Sequence, residues 1–287
     1  MDARRGIELL LTPGITPDEW DRLELAFGAT PGDDATAGGI DVTRVLGRLH
    51  LGLFGDEIAR QLAAVERANA RIIFRWEPDY PRALRAVSVP PPALFLRGHL
   101  PSHDEPMVAI VGTRKPSAGG SAFAHQLAKT LSLLGVTVVS GMARGIDTAA
   151  HLGALSAGAA TIAVVGTGVD VVYPPENRAL MARIAESGAV VSEQLCGMKP
   201  YAGVFPRRNR IISGMSDAVV VVEARARSGS LVTARHAANQ GRDVLAVPGA
   251  VGAPTSEGPN QLLREGAWPV LDVSDVLAAL GFGPATP

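Results

Sequence analysis

Six short runs of apolar residues, most of them β-branched, recur between residues 107 and 247 and constrain the fold more than any other feature. Because these runs lack the polar alternation of a half-exposed strand, they predict strands that are covered on both faces. Segments with helical periodicity separate most of them, which is typical of a doubly wound α/β sheet with mostly parallel strands. The predicted strands are Val108–Val111, Val136–Val139, Thr161–Val165, Ala189–Val191, Ala218–Val222 and Val244–Val247.

The length of 287 residues suggests about two domains. Residues 1–70 are predicted to form a small helical domain, because Thr16–Glu19 offers a helix start and Asp56–Ala70 repeats apolar residues at helical spacing. Residues 71–106 hold short strand-like runs between prolines and are interpreted as a connector packed on the next domain. The α/β domain then occupies residues 107–287.

Composition excludes several classes of protein. Hydrophobic residues make up 47% of the chain and charged residues 19%, so the chain can bury a large core and is not disordered. A single cysteine, Cys196, excludes a disulfide framework, and six scattered histidines offer no zinc-binding spacing. No apolar run approaches the roughly 18 residues of a spanning helix, and residues 1–11 make a poor signal peptide. We therefore expect a soluble, cytoplasmic protein with no structural metal and no membrane partner.

Charge is distributed unevenly along the chain. The formal net charge is −1, yet residues 1–60 hold eleven acidic residues against six arginines. From Val204 to Arg242 the balance reverses, because seven arginines face only Asp217 and Glu223, which gives a net charge of +5. This second segment is suited to an anionic partner.

Glycine, serine and arginine residues collect where the predicted strands end. The carboxyl ends of parallel strands meet at one edge, where ligands bind to doubly wound sheets. Glycines leave backbone N–H groups accessible, and the helices that follow add a partial positive charge, although glycines also end strands that bind no ligand. We predict a phosphate pocket formed by Gly112, Arg114, Ser140, Gly141, Arg144, Gly145, Gly166 and Gly168.

Two polar residues after these loops are interpreted as structural. Asp147 is predicted to cap the helix that follows it and to hold the loop before it. His151 lies one helical turn further on and is predicted to be a packed or loop-bracing imidazole.

The basic segment Phe205–Gly214 is the sharpest local feature of the sequence. Pro206 suits a helix start, and several phosphates can be bound by a helix start that carries Arg207, Arg208, Asn209 and Arg210. Phe205 is placed to stack on a base. Alternatively, some of these arginines pair with carboxylates or brace loops, as we expect of at least one. A later hydroxyl-rich helix start either caps itself or binds an anion through Ser228, Gly229 and Ser230.

Neither a nucleotide cofactor nor a catalytic set is predicted. The pair Gly166 and Gly168 lacks the third glycine of a dinucleotide fingerprint, and Lys115 comes too early for a P-loop. No serine has a histidine base that the sequence places beside it, and Cys196 has no evident activator. A phosphate pocket without chemistry favours binding over catalysis, so we predict a protein that is not an enzyme and has no cofactor.

An ordered set of motifs between Tyr80 and Leu271 resembles the DprA/Smf family, the DNA-processing proteins of bacterial natural transformation. The first seventy residues resemble the family's sterile-alpha-motif-like N-terminal domain more loosely. The chain stops soon after Leu280, so we expect the form without the family's C-terminal winged-helix domain. The motifs are Tyr80-Pro81, Pro91–Gly98, Val108–Arg114, Ser140–Asp147 with Ala150-His151, Tyr173–Asn177, Phe205–Gly214, Ser228–Ser230 and Val247–Gly249.

The resemblance implies an extended Rossmann-like domain that binds single-stranded DNA, forms dimers, protects incoming strands and helps to load RecA on them. It places Lys199 beside the family's DNA pocket and assigns to that pocket Arg114, Arg144, Phe205, Arg207, Arg208, Asn209 and Arg210. The alternative is a nucleotide-processing enzyme like the phosphoribohydrolases that resemble lysine decarboxylases. Those enzymes carry a Pro-Gly-Gly-x-Gly-Thr motif, whereas Pro248-Gly249 runs here into Ala-Val-Gly.

An apolar cluster near the end of the chain is the predicted dimer interface. Val276, Leu277 and Leu280 belong to it, and the cluster is larger than a terminal strand and helix need to cover their own sheet. Closing that sheet is the alternative role, and the resemblance favours the interface. A symmetric dimer would place two pockets within reach of one strand.

Overall fold

The computed structural model describes residues 3–12, 15, 19–21, 55–102 and 104–282. These residues form a nine-stranded sheet with helices on both faces. The strands are β1 (Ala70–Phe74), β2 (Ala93–Gly98), β3 (Met107–Val111), β4 (Thr137–Ser140), β5 (Thr161–Val164), β6 (Ala189–Ser192), β7 (Ala218–Val221), β8 (Asp243–Ala246) and β9 (Trp268–Pro269).

Ten α-helices lie in the described ranges, together with a short 3-10 helix at Pro175–Asn177. None of these helices is long and apolar enough to cross a membrane. The helices are α1 (Ala3–Leu11), α2 (Gly55–Arg67), α3 (Arg82–Arg85), α4 (Ala118–Leu133), α5 (Ile146–Ser156), α6 (Arg178–Ser187), α7 (Val204–Gly214), α8 (Gly229–Asn239), α9 (Glu257–Arg264) and α10 (Val273–Ala279).

The order of the strands confirms the predicted doubly wound, Rossmann-like sheet. The order is β1-β2-β6-β5-β4-β3-β7-β8-β9, and every neighbouring pair from β6 to β9 is parallel. The chain builds outward from β3 through β4, β5 and β6, then returns to the other side of β3 to add β7, β8 and β9. The direction therefore reverses between β3 and β7, where doubly wound sheets bind their ligands.

The strands β3 and β7 at the centre of the sheet are apolar throughout because both faces of the sheet are covered. In β3, Ala109 and Val111 belong to a core cluster with residues of α7 and α8. Val108 and Ile110 belong to a second cluster with residues of α4 and α5 on the opposite face. Alternate side chains of a strand point to opposite faces, so a strand between two helical layers has no polar side.

The segment predicted as a connector, residues 71–106, contributes two strands to the sheet. β1 pairs antiparallel with β2, and β2 pairs antiparallel with β6, with Gly98 opposite Ala189. The hydroxyl of Tyr80 in the intervening turn is buried and donates to the carbonyl oxygen of Pro91 at 2.8 Å. The division into three domains stays a prediction, and this segment extends the sheet of the third.

Two helices of the N-terminal region lie in the described ranges. The helix predicted from Asp56 to Ala70 is α2, which begins at Gly55 and ends at Arg67, three residues before β1. Trp20 stacks on Trp76 with 6.4 Å between ring centroids, and Leu9 belongs to the same apolar cluster, so these described N-terminal residues pack beside β1 and β2 at the outer edge of the sheet. The helix start predicted at Thr16–Glu19 lies for the most part outside the described residues, as do residues 22–54.

The apolar residues near the C-terminus cover their own sheet. Val276 is fully buried, and Leu277 and Leu280 pack against the same cluster as α4 and α5. Val276 is therefore a core residue and cannot contact a second protomer, which corrects its predicted place in a dimer interface. The large apolar side chains that remain exposed in this region are Trp268, Leu271 and Phe282.

Candidate functional site

A groove of about 580 Å³ opens at the carboxyl ends of the strands, beside the switch between β3 and β7. A narrower slot adjoins it and shares Arg114, Ala143, Phe205 and Arg208 with the groove. Among the predicted site residues, those that line the groove or the slot are Gly112, Arg114, Gly141, Arg144, Gly166, Phe205, Arg208, Asn209, Ser228, Gly229 and Ser230.

Six predicted site residues lie outside this lining: Ser140, Gly145, Gly168, Lys199, Arg207 and Arg210. Ser140 is fully buried, and its hydroxyl donates to the carbonyl oxygen of Ile110 at 2.6 Å. Gly168 packs against the carbonyl of Leu195, where an added Cβ would come within 2.7 Å. Lys199 and Arg207 are exposed. The structure therefore brings most of the predicted residues together and gives Ser140 and Gly168 structural surroundings.

Arg208 forms the floor of the groove. Its side chain is buried, with 7% of the residue exposed, and its Nη1 donates to the carbonyl oxygens of Gly141, at 2.7 Å, and Val164. Its Nε donates to Oδ1 of Asn209 at 3.2 Å. Burial lowers the pKa of Arg208 to about 10. These bonds join the ends of β4 and β5 to α7. Arg208 therefore braces the loops, the role that we expected of at least one arginine in the segment Phe205–Gly214.

Asp147 lies beside Arg208 at the base of the groove. Burial raises the pKa of this carboxyl to about 6, and the nearby Arg208 guanidinium opposes that rise. The expected capping role is wrong, since Gly145 is the N-cap of α5, but Asp147 does hold the preceding loop by accepting from the N–H of Ala143 at 3.3 Å. Gly145 has φ of 78°, and an added Cβ would lie 2.4 Å from the Thr113 carbonyl oxygen.

The loop that carries Arg144 is held from a second side by Asn177. The buried side-chain amide of Asn177 donates to the carbonyl oxygen of Met142 at 2.9 Å and to Thr148 Oγ1 at 3.0 Å. Thr148 in turn donates to the Ala143 carbonyl oxygen at 2.7 Å. Every one of these bonds is to a group in or next to the loop, so its backbone is fixed before any ligand arrives.

His151 is packed, as predicted. It is fully buried, and its Nδ1 lies 2.9 Å from Oγ1 of Thr161. Burial lowers its pKa to about 3, so the imidazole is neutral at physiological pH. His151 therefore braces α5 against β5 and does not reach the groove.

Two aromatic rings and an arginine contact one another at the junction of groove and slot. The guanidinium of Arg114 lies 5.6 Å from the ring centroid of Phe205, within the range of a cation–π contact. The ring of Tyr173 lies 5.5 Å from that of Phe205 at an interplanar angle of 33°. Sequence reasoning quoted Tyr173 in a motif but did not assign it to the site.

The far wall of the groove is the start of α8. Ser228 is the N-cap of this helix, and its hydroxyl oxygen lies 2.8 Å from that of Ser230. Asn209 joins α7 to this helix, since its amide donates to the Gly229 carbonyl oxygen at 3.0 Å. A capped helix start of this length directs its partial positive charge toward the groove, which favours the binding of anions there.

Two exposed arginines of this wall were missing from the predicted site. Arg225 and Arg227 line the groove immediately before α8. The charge count between Val204 and Arg242 contained both of them, so the signal was present in the sequence. Among the described residues no group of three or more His, Cys, Asp or Glu side chains is placed to hold a metal ion.

Two arginines near the groove carry carboxylate partners. Arg144 pairs through its Nε with Glu176, and both side chains are exposed. Arg210 pairs with Glu193 at 2.5 Å, and these side chains are only 14% and 16% exposed. Among the described residues, Arg114, Arg225 and Arg227 at the rim of the groove form no ion pair, whereas Arg144, which lines the slot, is paired with Glu176.

Comparison with known proteins identifies relatives of this chain. Residues 71–281 match the family model described as DNA recombination-mediator protein A. The Smf proteins of Synechocystis sp. and Escherichia coli are 42% and 44% identical over 76% and 79% of this chain. The matched regions cover 56% and 61% of those two proteins, so the chain spans less than two thirds of their length.

Two solved structures resemble the fold closely. The X-ray structure of DNA processing protein A from Streptococcus pneumoniae has a TM-score of 0.80 and 33% identity, over 97% of this chain and 98% of that one. DNA processing protein A from Helicobacter pylori, whose structure concerns its single-stranded DNA binding mode, has a TM-score of 0.66 and 30% identity. That match covers 74% of this chain and 95% of the other.

Proposed function

This chain belongs to the DNA recombination-mediator protein A family, and from that premise we propose that it binds single-stranded DNA in the groove at the carboxyl ends of its strands. The observation that carries the proposal is the rim of exposed arginines around a groove that also holds a helix start. Arg114, Arg225 and Arg227 offer guanidinium donors to phosphates, and the N–H groups at the start of α8 face the same space.

Unpaired bases suit this groove better than a duplex does. Phe205 and Tyr173 present ring surfaces beside the guanidinium of Arg114, and only bases released from pairing can stack on such surfaces. Stacking and phosphate contacts are both tolerant of base identity. We expect single strands to bind with little sequence preference.

The groove is proposed to bind without chemistry. His151 is fully buried and hydrogen-bonded behind the groove, and the carboxylate of Asp147 is held by the loop that it supports. The hydroxyls of Ser228 and Ser230 bond to each other rather than to a histidine. The alternative, a nucleotide-processing enzyme, predicts free base when the protein is incubated with nucleoside monophosphates, and chromatography that finds such turnover would reject the binding-only role.

Membership of the family supports a wider role, which we propose here. A protein that covers single strands in the cytoplasm can protect DNA taken up in natural transformation and present it to RecA. A groove that contacts phosphates rather than base edges suits this role, since incoming strands have any sequence. Addition of this protein to RecA and single-stranded DNA should speed filament formation, and an unchanged rate would reject the RecA part of the proposal.

Self-association is proposed through the C-terminal part of the α/β domain. The exposed candidates there are Trp268, Leu271 and Phe282, since Val276 is buried. Light scattering at micromolar concentration should give the mass of a dimer, and Trp268→Glu with Leu271→Glu should give a folded monomer. A monomeric mass for the unmodified chain would reject this part.

The central experiment compares a fluorescent oligothymidylate with a duplex of the same length by anisotropy between about 50 and 200 mM salt. We expect the single strand to bind more tightly at every salt concentration. The logarithm of its binding constant should fall linearly with the logarithm of salt, with a slope of about 0.7 per phosphate contacted. Equal or tighter binding of the duplex would reject the proposed ligand.

A further inference from the structure

We propose that Glu176 is an intramolecular competitor of the DNA phosphate, which occupies Arg144 in the free protein and lowers the affinity of the groove. This inference rests on the proposed function, because it assigns a residue that limits binding at the same site. It concerns a side chain that lines neither the groove nor the slot and that no part of the binding role has yet used.

The contact itself is direct. Nε of Arg144 donates to Oε1 of Glu176, and this bond lowers the pKa of the Glu176 carboxyl and raises that of the Arg144 guanidinium. Carboxylate and phosphate oxygens are interchangeable acceptors for a guanidinium. A phosphate that binds Arg144 must therefore displace the Glu176 carboxylate. It gains less than it would by binding a guanidinium that has no anionic partner.

The position of Glu176 is fixed by the fold. It lies in the short 3-10 helix Pro175–Asn177. The next residue of that helix, Asn177, is buried and donates to the carbonyl oxygen of Met142. Met142 is two residues before Arg144, so the segments that carry the two charges are bonded to each other. The carboxylate consequently stays next to Arg144 and can take the guanidinium back whenever a phosphate leaves.

Exposure makes this pair exchangeable. The side chains of Arg144 and Glu176 are 59% and 49% exposed, whereas those of Arg210 and Glu193 are 14% and 16% exposed. Exposed pairs are screened by water and salt, so their net contribution is small and a phosphate can displace the carboxylate. The pair of Arg210 and Glu193 is shielded from solvent and stays closed.

The test is Glu176→Gln, with Glu176→Ala as a second variant because glutamine can still accept from Arg144. Anisotropy with an oligothymidylate at about 50 mM salt should show roughly two- to fivefold tighter binding for both variants. In the Arg144→Ala background, the same substitutions should not increase the affinity for the oligothymidylate, because the guanidinium with which Glu176 pairs is then absent. Thermal unfolding monitored by circular dichroism checks that all variants are folded.

The matched control is Glu186→Gln, which removes the same charge from an exposed site on α6 that lines a separate cleft with Arg71 and Arg97. It should leave the affinity unchanged. An equal gain in this control, or a gain that persists without Arg144, would show a general charge effect and overturn the inference. No gain in either Glu176 variant would overturn it as well.

The measurement on the unmodified chain separates the two proposals. If that chain binds the oligothymidylate and the Glu176 variants bind no tighter, only the competitor role falls. If the unmodified chain does not bind single strands at all, the proposed function falls and the competitor role falls with it.

Discussion

Two neighbouring arginines of α7 have opposite surroundings, since one lies in the floor of the groove and the other lies on the outer surface of the helix. Arg208 is buried and donates to the carbonyls of Gly141 and Val164. Arg207 is exposed, and none of the described residues forms an ion pair with it. Successive helix positions are roughly 100° apart, so one step along the chain turns a structural brace into a solvated cation.

The same division runs through the ion pairs. The pair of Arg210 and Glu193 is shielded, whereas that of Arg144 and Glu176 is exposed. Buried charges cost solvation and must keep their partners, while exposed charges exchange them with little loss. Burial, rather than membership of a basic motif, therefore decides which arginines are available to a ligand.

The largest expected effect is on the floor. Arg208→Met keeps much of the volume but leaves Asp147 without its cation and two buried carbonyl oxygens without their donor. Removing one member of such a buried network lowers the free energy of unfolding by about 2–5 kcal/mol. Urea denaturation followed by circular dichroism measures this loss.

Arg207→Met is the matched control, because it makes the same chemical change one residue away on the exposed side of α7. It should change the free energy of unfolding by no more than about 0.5 kcal/mol. Similar stabilities for the two variants would contradict the distinction between floor and outer surface.

The second prediction concerns two buried groups below the groove, whose titrations oppose each other. Burial raises the pKa of Asp147 to about 6, so the folded state holds this proton more tightly, and the resulting stability is lost as pH rises through about 6. Burial lowers the pKa of His151 to about 3, so its contribution is present above the ordinary value of 6.5 and is lost as pH falls. Between pH 4 and pH 6 the two contributions largely offset each other.

Asp147→Asn removes the contribution of Asp147 to the pH dependence of stability and leaves that of His151. The variant should lose roughly 1–3 kcal/mol more stability than the unmodified chain when pH falls from about 6 to about 4. His151→Asn should show the opposite, a smaller loss on acidification. Urea denaturation at several pH values tests both, and parallel pH curves for all three proteins would mean that burial does not shift the pKa values of these two groups.

Much of the fold could be predicted because local pattern and burial agree. A strand such as Val108–Val111 is apolar throughout since helices cover both of its faces, and six such runs predicted six of the parallel strands. The pairing of β2 with β6 could not be predicted, because it joins Gly98 to Ala189 across about ninety residues of intervening chain. Short apolar runs in a proline-rich segment carry no signal for such a distant partner.

The site was predictable in location but not in detail. The strand ends predicted the edge of the sheet together with Arg114 and Arg144, and the basic segment predicted Phe205; all three residues line the groove or the slot. Whether a motif arginine faces inward, as Arg208 does, depends on which carbonyls the neighbouring strand ends leave open. That is a property of tertiary packing, so a basic run cannot be divided into structural and ligand-binding members before the fold is known.

The smallest expected effects are on the rim, where single contacts contribute to affinity and not to stability. Arg114→Ala should weaken binding of an oligothymidylate most, by about tenfold, and reduce the magnitude of the salt slope by about 0.7, because it removes both a phosphate donor and a cation beside Phe205.

Arg144→Ala should weaken binding less, since this arginine must first give up Glu176. Arg207→Ala should have the smallest effect, because its side chain is exposed but lies outside the groove lining. Anisotropy across a salt series gives all three slopes, and a reversed order, with Arg207 dominant, would mean that the strand runs over the outer surface of α7 instead of through the groove.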